Sequence, residues 1–276
     1  MTFAFADPAA DLYGLARLGI ADADGSPSGS ALAMLFASGQ PVTTIARGDV
    51  PVAAGADVEQ LALGDLEAAV VQPERRWTVA LRGEGGHGFD LTFDAAGPPA
   101  ELDTQEPAAR AGGMAGSEQL CHVHGSVRIG GETRELRCLG QRSHSWGDPD
   151  WGRIGATRTV AAWLDDGTGV VMSAVRPVAA DGHDAEASWA AILGPAGSLQ
   201  VDEPRLSTTY DEDGRQRRAT LELWVGDEDA YPRRAVGEVV CGSTLDLGRL
   251  RLDCAFVRWQ MEGRSGAGRY DLLRRA

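Results

Sequence analysis

Several separate stretches of this chain alternate apolar with polar or small residues at a period of two. Trp77, Val79 and Leu81 do so, then Phe89, Leu91 and Phe93, then Ala219, Leu221, Leu223 and Val225. A strand points successive side chains to opposite faces, so this period marks strands with one buried face. Turn-forming residues punctuate them at 83–88, at Gly130-Gly131, at Asp165-Asp166-Gly167, at Pro195-Ala196-Gly197 and at 211–214. Short strands at regular spacing, joined by Gly- and Asp-rich turns, predict an all-β chain of antiparallel barrels or sandwiches. Helix signals are few. A short helix is expected within 58–70, and 31–38 is ambiguous. No strand–helix–strand alternation points to a Rossmann fold. The fragment Gly266-Ala267-Gly268 has no helix after it to receive a phosphate.

At 276 residues the chain is long enough for one large or two medium cores. Residues 95–117, rich in Ala, Gly, Pro and Glu, read as a long loop or linker. The alternation is interrupted between a strand ending near Leu139 and another starting near Thr157. Cutting there gives two strand-rich domains, 1–140 and 141–276.

Charge excludes some functions. The chain carries 26 basic and 40 acidic residues, a net charge of −14, so it repels phosphate backbones and nucleic acid is not an expected partner. Every basic residue is Arg. Schiff-base catalysis and a Walker-type phosphate loop need lysine, so both are ruled out. No apolar run reaches the ~18 residues that would suggest a membrane span. The first residues, MTFAFADPAADLYG, lack a basic region followed by an apolar one, so the expected location is cytoplasmic. Cys121, Cys138, Cys241 and Cys254 form no C-x-x-C pair and read as small buried hydrophobes.

The densest chemistry lies in Gly140 to Gly152, GQRSHSWGDPDWG. On extended backbone, Arg142, His144, Trp146, Asp148 and Asp150 share one side, and Ser143, Ser145 and Trp151 the other. Gly147 and Pro149 limit how far that alternation runs. An imidazole titrates near neutrality and suits acid–base work, and an indole beside it supplies an apolar wall or a π face. The same residues also make a polar corner, with Asp148-Pro149-Asp150 as a turn over packed indoles, and both readings stay open.

Other candidates are weaker. His122 and His124 share a strand face and can hold a metal, but without a clear third ligand no metal site is assigned. His87 and His183 read as solvated loop residues. There is no G-x-S-x-G elbow, and Ser143 or Ser145 cannot easily be activated by their sequence neighbour His144. Six of the seven tryptophans follow Gly140, which suits an apolar pocket or an ordinary barrel core.

The central motif, followed by Trp163-Leu164-Asp165-Asp166-Gly167, resembles the HSWG…DW signature of the lipocalin-like superfamily that includes AttH-type proteins and carotenoid 1,2-hydratases. Tocopherol cyclases and lipocalin-like Diels–Alderases are more distantly similar. Asp7-Pro8 with Asp11-Leu12-Tyr13-Gly14, then Gly88-Phe89-Asp90-Leu91-Thr92-Phe93, and Gly263-Arg264-Ser265-Gly266 resemble a bacterial branch of the group. The resemblance implies two lipocalin-like antiparallel β-barrels side by side, with few short helices and a hydrophobic pocket in or between them. It also implies cofactor-independent hydration, cyclisation or isomerisation of an isoprenoid- or polyketide-like small molecule of secondary metabolism. Carried across by position, Arg142, His144, Asp148 and Asp150 are candidate catalytic residues. Trp146, Trp151, Trp163 and Ser143 are candidate substrate contacts. Ser143 departs from the group, which commonly has Asp there, so a proton-donor role at that position passes to Asp148 or Asp150 or is absent. A non-catalytic lipid carrier and a sugar-binding β protein with a Trp-lined cleft are the alternatives.

Overall fold

The computed structural model describes residues 1–23, 26–53, 55–180, 182–226 and 231–276. The strands begin with β1 (Thr2–Asp7), β2 (Leu12–Ala23), β3 (Ser26–Ala37), β4 (Gln40–Pro51), β5 (Gln60–Leu63), β6 (Leu66–Gln72), β7 (Arg76–Arg82), β8 (Gly88–Ala95) and β9 (Ala100–Leu102). The helix α1 (Pro107–Gly112) follows, then β10 (Met114–Ile129), β11 (Glu132–Gly147), β12 (Ile154–Leu164), β13 (Gly169–Pro177), β14 (Ala187–Gly194) and β15 (Gly197–Gln200). The last five are β16 (Glu203–Tyr210), β17 (Gln216–Trp224), β18 (Arg233–Asp246), β19 (Leu250–Met261) and β20 (Arg264–Arg275). Among the described residues no helix is long and apolar enough to cross a membrane.

The chain is all-β, as the alternation predicts. One sheet runs β4-β3-β2-β1-β11-β10-β8-β7-β6-β5, with β9 on β10, and the other runs β15-β14-β13-β12-β20-β19-β18-β17-β16. The two curl into a nearly closed barrel and a half-barrel, consistent with two lipocalin-like barrels. The compact units are Met1–Ala96 with Cys121–Ser143, and Gly97–Leu120 with His144–Ala276. Residues 97–120, which contain most of the expected linker 95–117 of the N-terminal half, therefore group with the second unit.

Two segments differ from expectation. Residues 58–70 hold the hairpin β5–β6, not a helix. Leu61, Leu63, Leu66 and Ala68 are buried, and Gly64 takes the positive φ that its two-residue turn needs. The helix lies instead within the presumed linker. Pro107 starts α1, where a missing N–H costs nothing, and Gly113 ends it in the left-handed conformation.

The first unit's core is aromatic and aliphatic. Phe3 meets Phe93 edge-on at 5.2 Å between ring centroids, and Phe5 meets Phe89 at 5.6 Å. Burying each ring contributes roughly 2–3 kcal/mol. Phe5 pairs across the ladder with Gly14, where any Cβ would run into the Phe5 ring. The second unit has its own apolar cluster, including Val160, Ala162, Leu221, Val257 and Trp259.

Candidate functional site

β11 carries the first part of the central motif. The strand continues to Gly147, so it does not end near Leu139 as expected. In the first unit Leu136 and Arg142 have the same parity on β11, and Leu136 belongs to the core. Arg142 pairs with Phe3, and its guanidinium carbon lies 4.2 Å from the centroid of the buried Trp77 ring. This is a cation–π stack, which fixes the guanidinium plane. Cys121 lies beside it; burial pushes the thiol up to about 12, and the Arg142 charge offsets part of that. Ser143 has the opposite parity, is buried and pairs with Thr2.

In the second unit the motif turns outward. His144, Ser145, Trp146 and Asp148 are exposed. His144 and Trp146, two apart on β11, hold their rings 5.2 Å apart at 60°. Trp146 keeps 47% of its surface exposed, which is unusual for so large an apolar ring. The strand stops at Gly147 (φ 142°), where the Asp148 N–H donates to the carbonyl of Gly113 at 2.9 Å.

The two carboxylates differ. Asp150 Oδ1 accepts the Gly152 N–H at 2.8 Å, and the Asp150 carbonyl accepts from Arg153 and Ile154. That is an Asx turn beginning at Asp150 and running into 151–153, beyond the Asp148-Pro149-Asp150 stretch where the turn was expected. The Asp148 carboxylate has no hydrogen-bond partner among the described residues, which leaves it available. Trp151 is half-buried. Trp163 is buried in β12 with parity opposite to Val160, Ala162 and Leu164, so it points away from the second unit's core. Its indole N–H finds no acceptor among the described residues.

The remaining histidines are placed simply. His124 Nε2 meets Asp94 at 3.0 Å. Burial opposes the charge on Asp94, but hydrogen bonds from Arg76 and His124 outweigh it and hold the carboxyl below its ordinary value. No group of three metal-ligating side chains occurs among the described residues. His87 accepts the Gly130 N–H at 3.2 Å. His183, read as solvated, reaches Glu186 at 2.6 Å.

Glu186 leads to what the sequence reading missed. Its other oxygen pairs with Arg158, and both side chains are buried. Arg158 also donates to the Leu206 carbonyl at 3.2 Å and to Thr208 Oγ1, which lies 2.8 Å from the Tyr270 hydroxyl. Nearby on β19, buried Asp253 accepts from Thr244, Arg251 and Arg274. The signal was present: Asp253 interrupts the apolar run Leu252 to Val257, and Arg158 shares parity with Val160 and Ala162.

The Domain of unknown function family DUF7064 matches residues 1–275. The chain belongs to it. No curated protein sequence matches this DUF7064 chain. Among solved structures, the AttH-like protein NE1406 of Nitrosomonas europaea superposes with a TM-score of 0.71 at 13% identity, covering 98% of this chain and 90% of that one. Kievitone hydratase of Nectria haematococca gives 0.67 at 10% identity, covering 99% and 87%. CghA gives 0.67 at 12% identity, covering 100% and 87%, and is also known with Sch210972. At these identities the likeness is one of fold alone.

Proposed function

We propose that this DUF7064 chain catalyses a cofactor-independent hydration, cyclisation or isomerisation of a hydrophobic isoprenoid- or polyketide-like small molecule. The observation that carries the reading is the exposed His144–Trp146 pair on β11, with the unengaged Asp148 carboxylate two residues on. An imidazole beside an open indole face offers a proton-transfer group next to an apolar wall. That suits protonation of a double bond, where the indole steadies developing positive charge. Asp148 takes the second carboxylate role, since Asp150 is committed to its own turn. Arg142 orients a polar substituent of the substrate; its stack on Trp77 limits its motion. Trp151, Trp163 and Ser143 remain proposed contacts. The kinship of fold with a hydratase supports the reaction class.

The test starts from small molecules that co-purify with the protein from its native host. Incubating them with enzyme in heavy-oxygen water and following products by mass spectrometry separates the outcomes. Gain of one labelled water indicates hydration; a retention shift at constant mass indicates cyclisation or isomerisation. His144→Ala should lower turnover by about 10²–10⁴-fold, and Asp148→Asn by less. Unchanged turnover in both variants would remove these residues from the mechanism. A bound compound returned unaltered by the wild type would make the chain a carrier.

A further inference from the structure

A cavity in the second unit has no part in this reading. The β17–β18 ladder ends at Arg218–Glu238, whereas β18 runs on to Asp246 along β19. The strands part there, and a cavity of about 640 Å³ opens between them. That volume is in the range that holds a small organic ligand.

Its lining carries three carboxylates, Asp211, Glu238 and Asp253, and three guanidiniums, Arg215, Arg217 and Arg218. Asp253, at the cavity wall, is saturated by Thr244 at 2.6 Å, Arg274 at 2.9 Å and Arg251 at 3.2 Å, so one carboxylate answers two guanidiniums. At the rim, Glu238 is paired with Arg218, and Asp211 Oδ1 is occupied by the N–H groups of Asp213 and Arg215. Arg217, also at the rim, makes no salt bridge among the described residues, and its charge helps to hold the neighbouring Asp211 carboxyl below its ordinary value. Hydroxyl donors continue inward. Tyr210 hydrogen-bonds to Tyr270, which meets Thr208. Val239, Cys241 and Ala255 complete the lining with apolar surface.

We propose that this cavity binds a small organic acid. The carboxylate is received by Arg217 and the Tyr210 hydroxyl, and the apolar body lies along Val239, Cys241 and Ala255. A guanidinium receives a carboxylate through two parallel N–H donors, which a neutral amide cannot reproduce. The site therefore selects by charge, in a protein whose net charge of −14 otherwise repels anions.

The experiment is calorimetric titration of the full chain with 4-phenylbutyrate and, separately, its neutral amide. The acid should bind at least ~10-fold more tightly than the amide. Arg217→Ala should weaken the acid by about 10-fold without changing the amide, and Arg217→Glu should abolish acid binding. His144→Ala and Trp146→Ala should leave acid affinity unchanged, so failure of the proposed reaction at the central motif does not decide this site. Equal affinity for acid and amide would overturn the proposal. So would an Arg217→Ala variant with wild-type affinity, loss of binding in Trp146→Ala, or no heat from the acid up to about 10 mM.

Discussion

The two units start from the same strand alternation and fill their interiors differently. The described core of the first is built of Phe, Leu, Val and Ala around Trp77, with Arg142 stacked over that indole. In the second, the apolar cluster around Trp259 gives way to Arg158, Glu186, Tyr270, Thr208 and Asp253. Among the described residues the charged side chains buried most deeply, Arg158, Glu186, Asp253, Arg269 and Asp271, all belong to the second unit. Burying ions costs several kcal/mol each unless they are well paired. Apolar packing explains the first interior, whereas the second also buries charged groups, of which Asp253 lies at its cavity wall.

Three variants break or sharpen that contrast. The largest effect is expected from Glu186→Ala, which leaves Arg158 buried and unpaired and should cost about 3–5 kcal/mol in urea unfolding. Replacing both partners, Arg158→Met with Glu186→Leu, should recover most of the loss. In the first unit Phe93→Ala should cost a similar ~3–5 kcal/mol through a cavity, with no partner change able to restore it. If the double replacement also fails to recover stability, the second interior is not an exchangeable ion pair and the contrast fails.

An alkaline titration probes the first unit. Burial raises the Cys121 and Cys138 thiols from 9.0 to about 12. Below pH 9 both are protonated in folded and unfolded chains, so their contribution to stability is complete. Between 9 and 12 only the unfolded chain ionises, and stability falls by up to ~1.4 kcal/mol per pH unit for each thiol. The double variant Cys121→Ala with Cys138→Ala should flatten that part of the stability–pH curve; an unchanged slope would mean that these thiols are not shielded.

The smallest effect is expected at Arg142. Arg142→Leu removes a half-buried cation–π stack and should cost ~1 kcal/mol or less. Turnover should fall by more than that loss of stability explains. A large drop in the unfolding midpoint would instead make Arg142 a structural member of the first core.

The sequence showed the strands wherever one face was buried and the other wet. Trp77–Leu81, Phe89–Phe93 and Ala219–Leu223 fall on β7, β8 and β17 with the expected residues inside. It failed at 58–70, where Leu61 with Leu63 and Leu66 with Ala68 alternate over strands only a few residues long, and Gly64 turns the chain back between them. A turn near Asp150 was legible because an Asx turn is local, but it starts at Asp150, where the expected turn ends. The polar interior was not, since its partners lie far apart in the chain: Arg158 and Glu186 by 28 positions, Thr208 and Tyr270 by 62. Only the ladders bring them together.

The contact between Gly14 and Phe5 has a consequence for how sequences of this fold can drift. Since a Cβ at 14 collides with the ring at 5, the two positions form one unit of inheritance. Alanine at 14 becomes acceptable only after the ring at 5 has shrunk, and a shrunken residue at 5 opens a void against Phe89 that another side chain must fill. Change at either site therefore has an order, with position 5 first, position 89 or its neighbours next, and position 14 last.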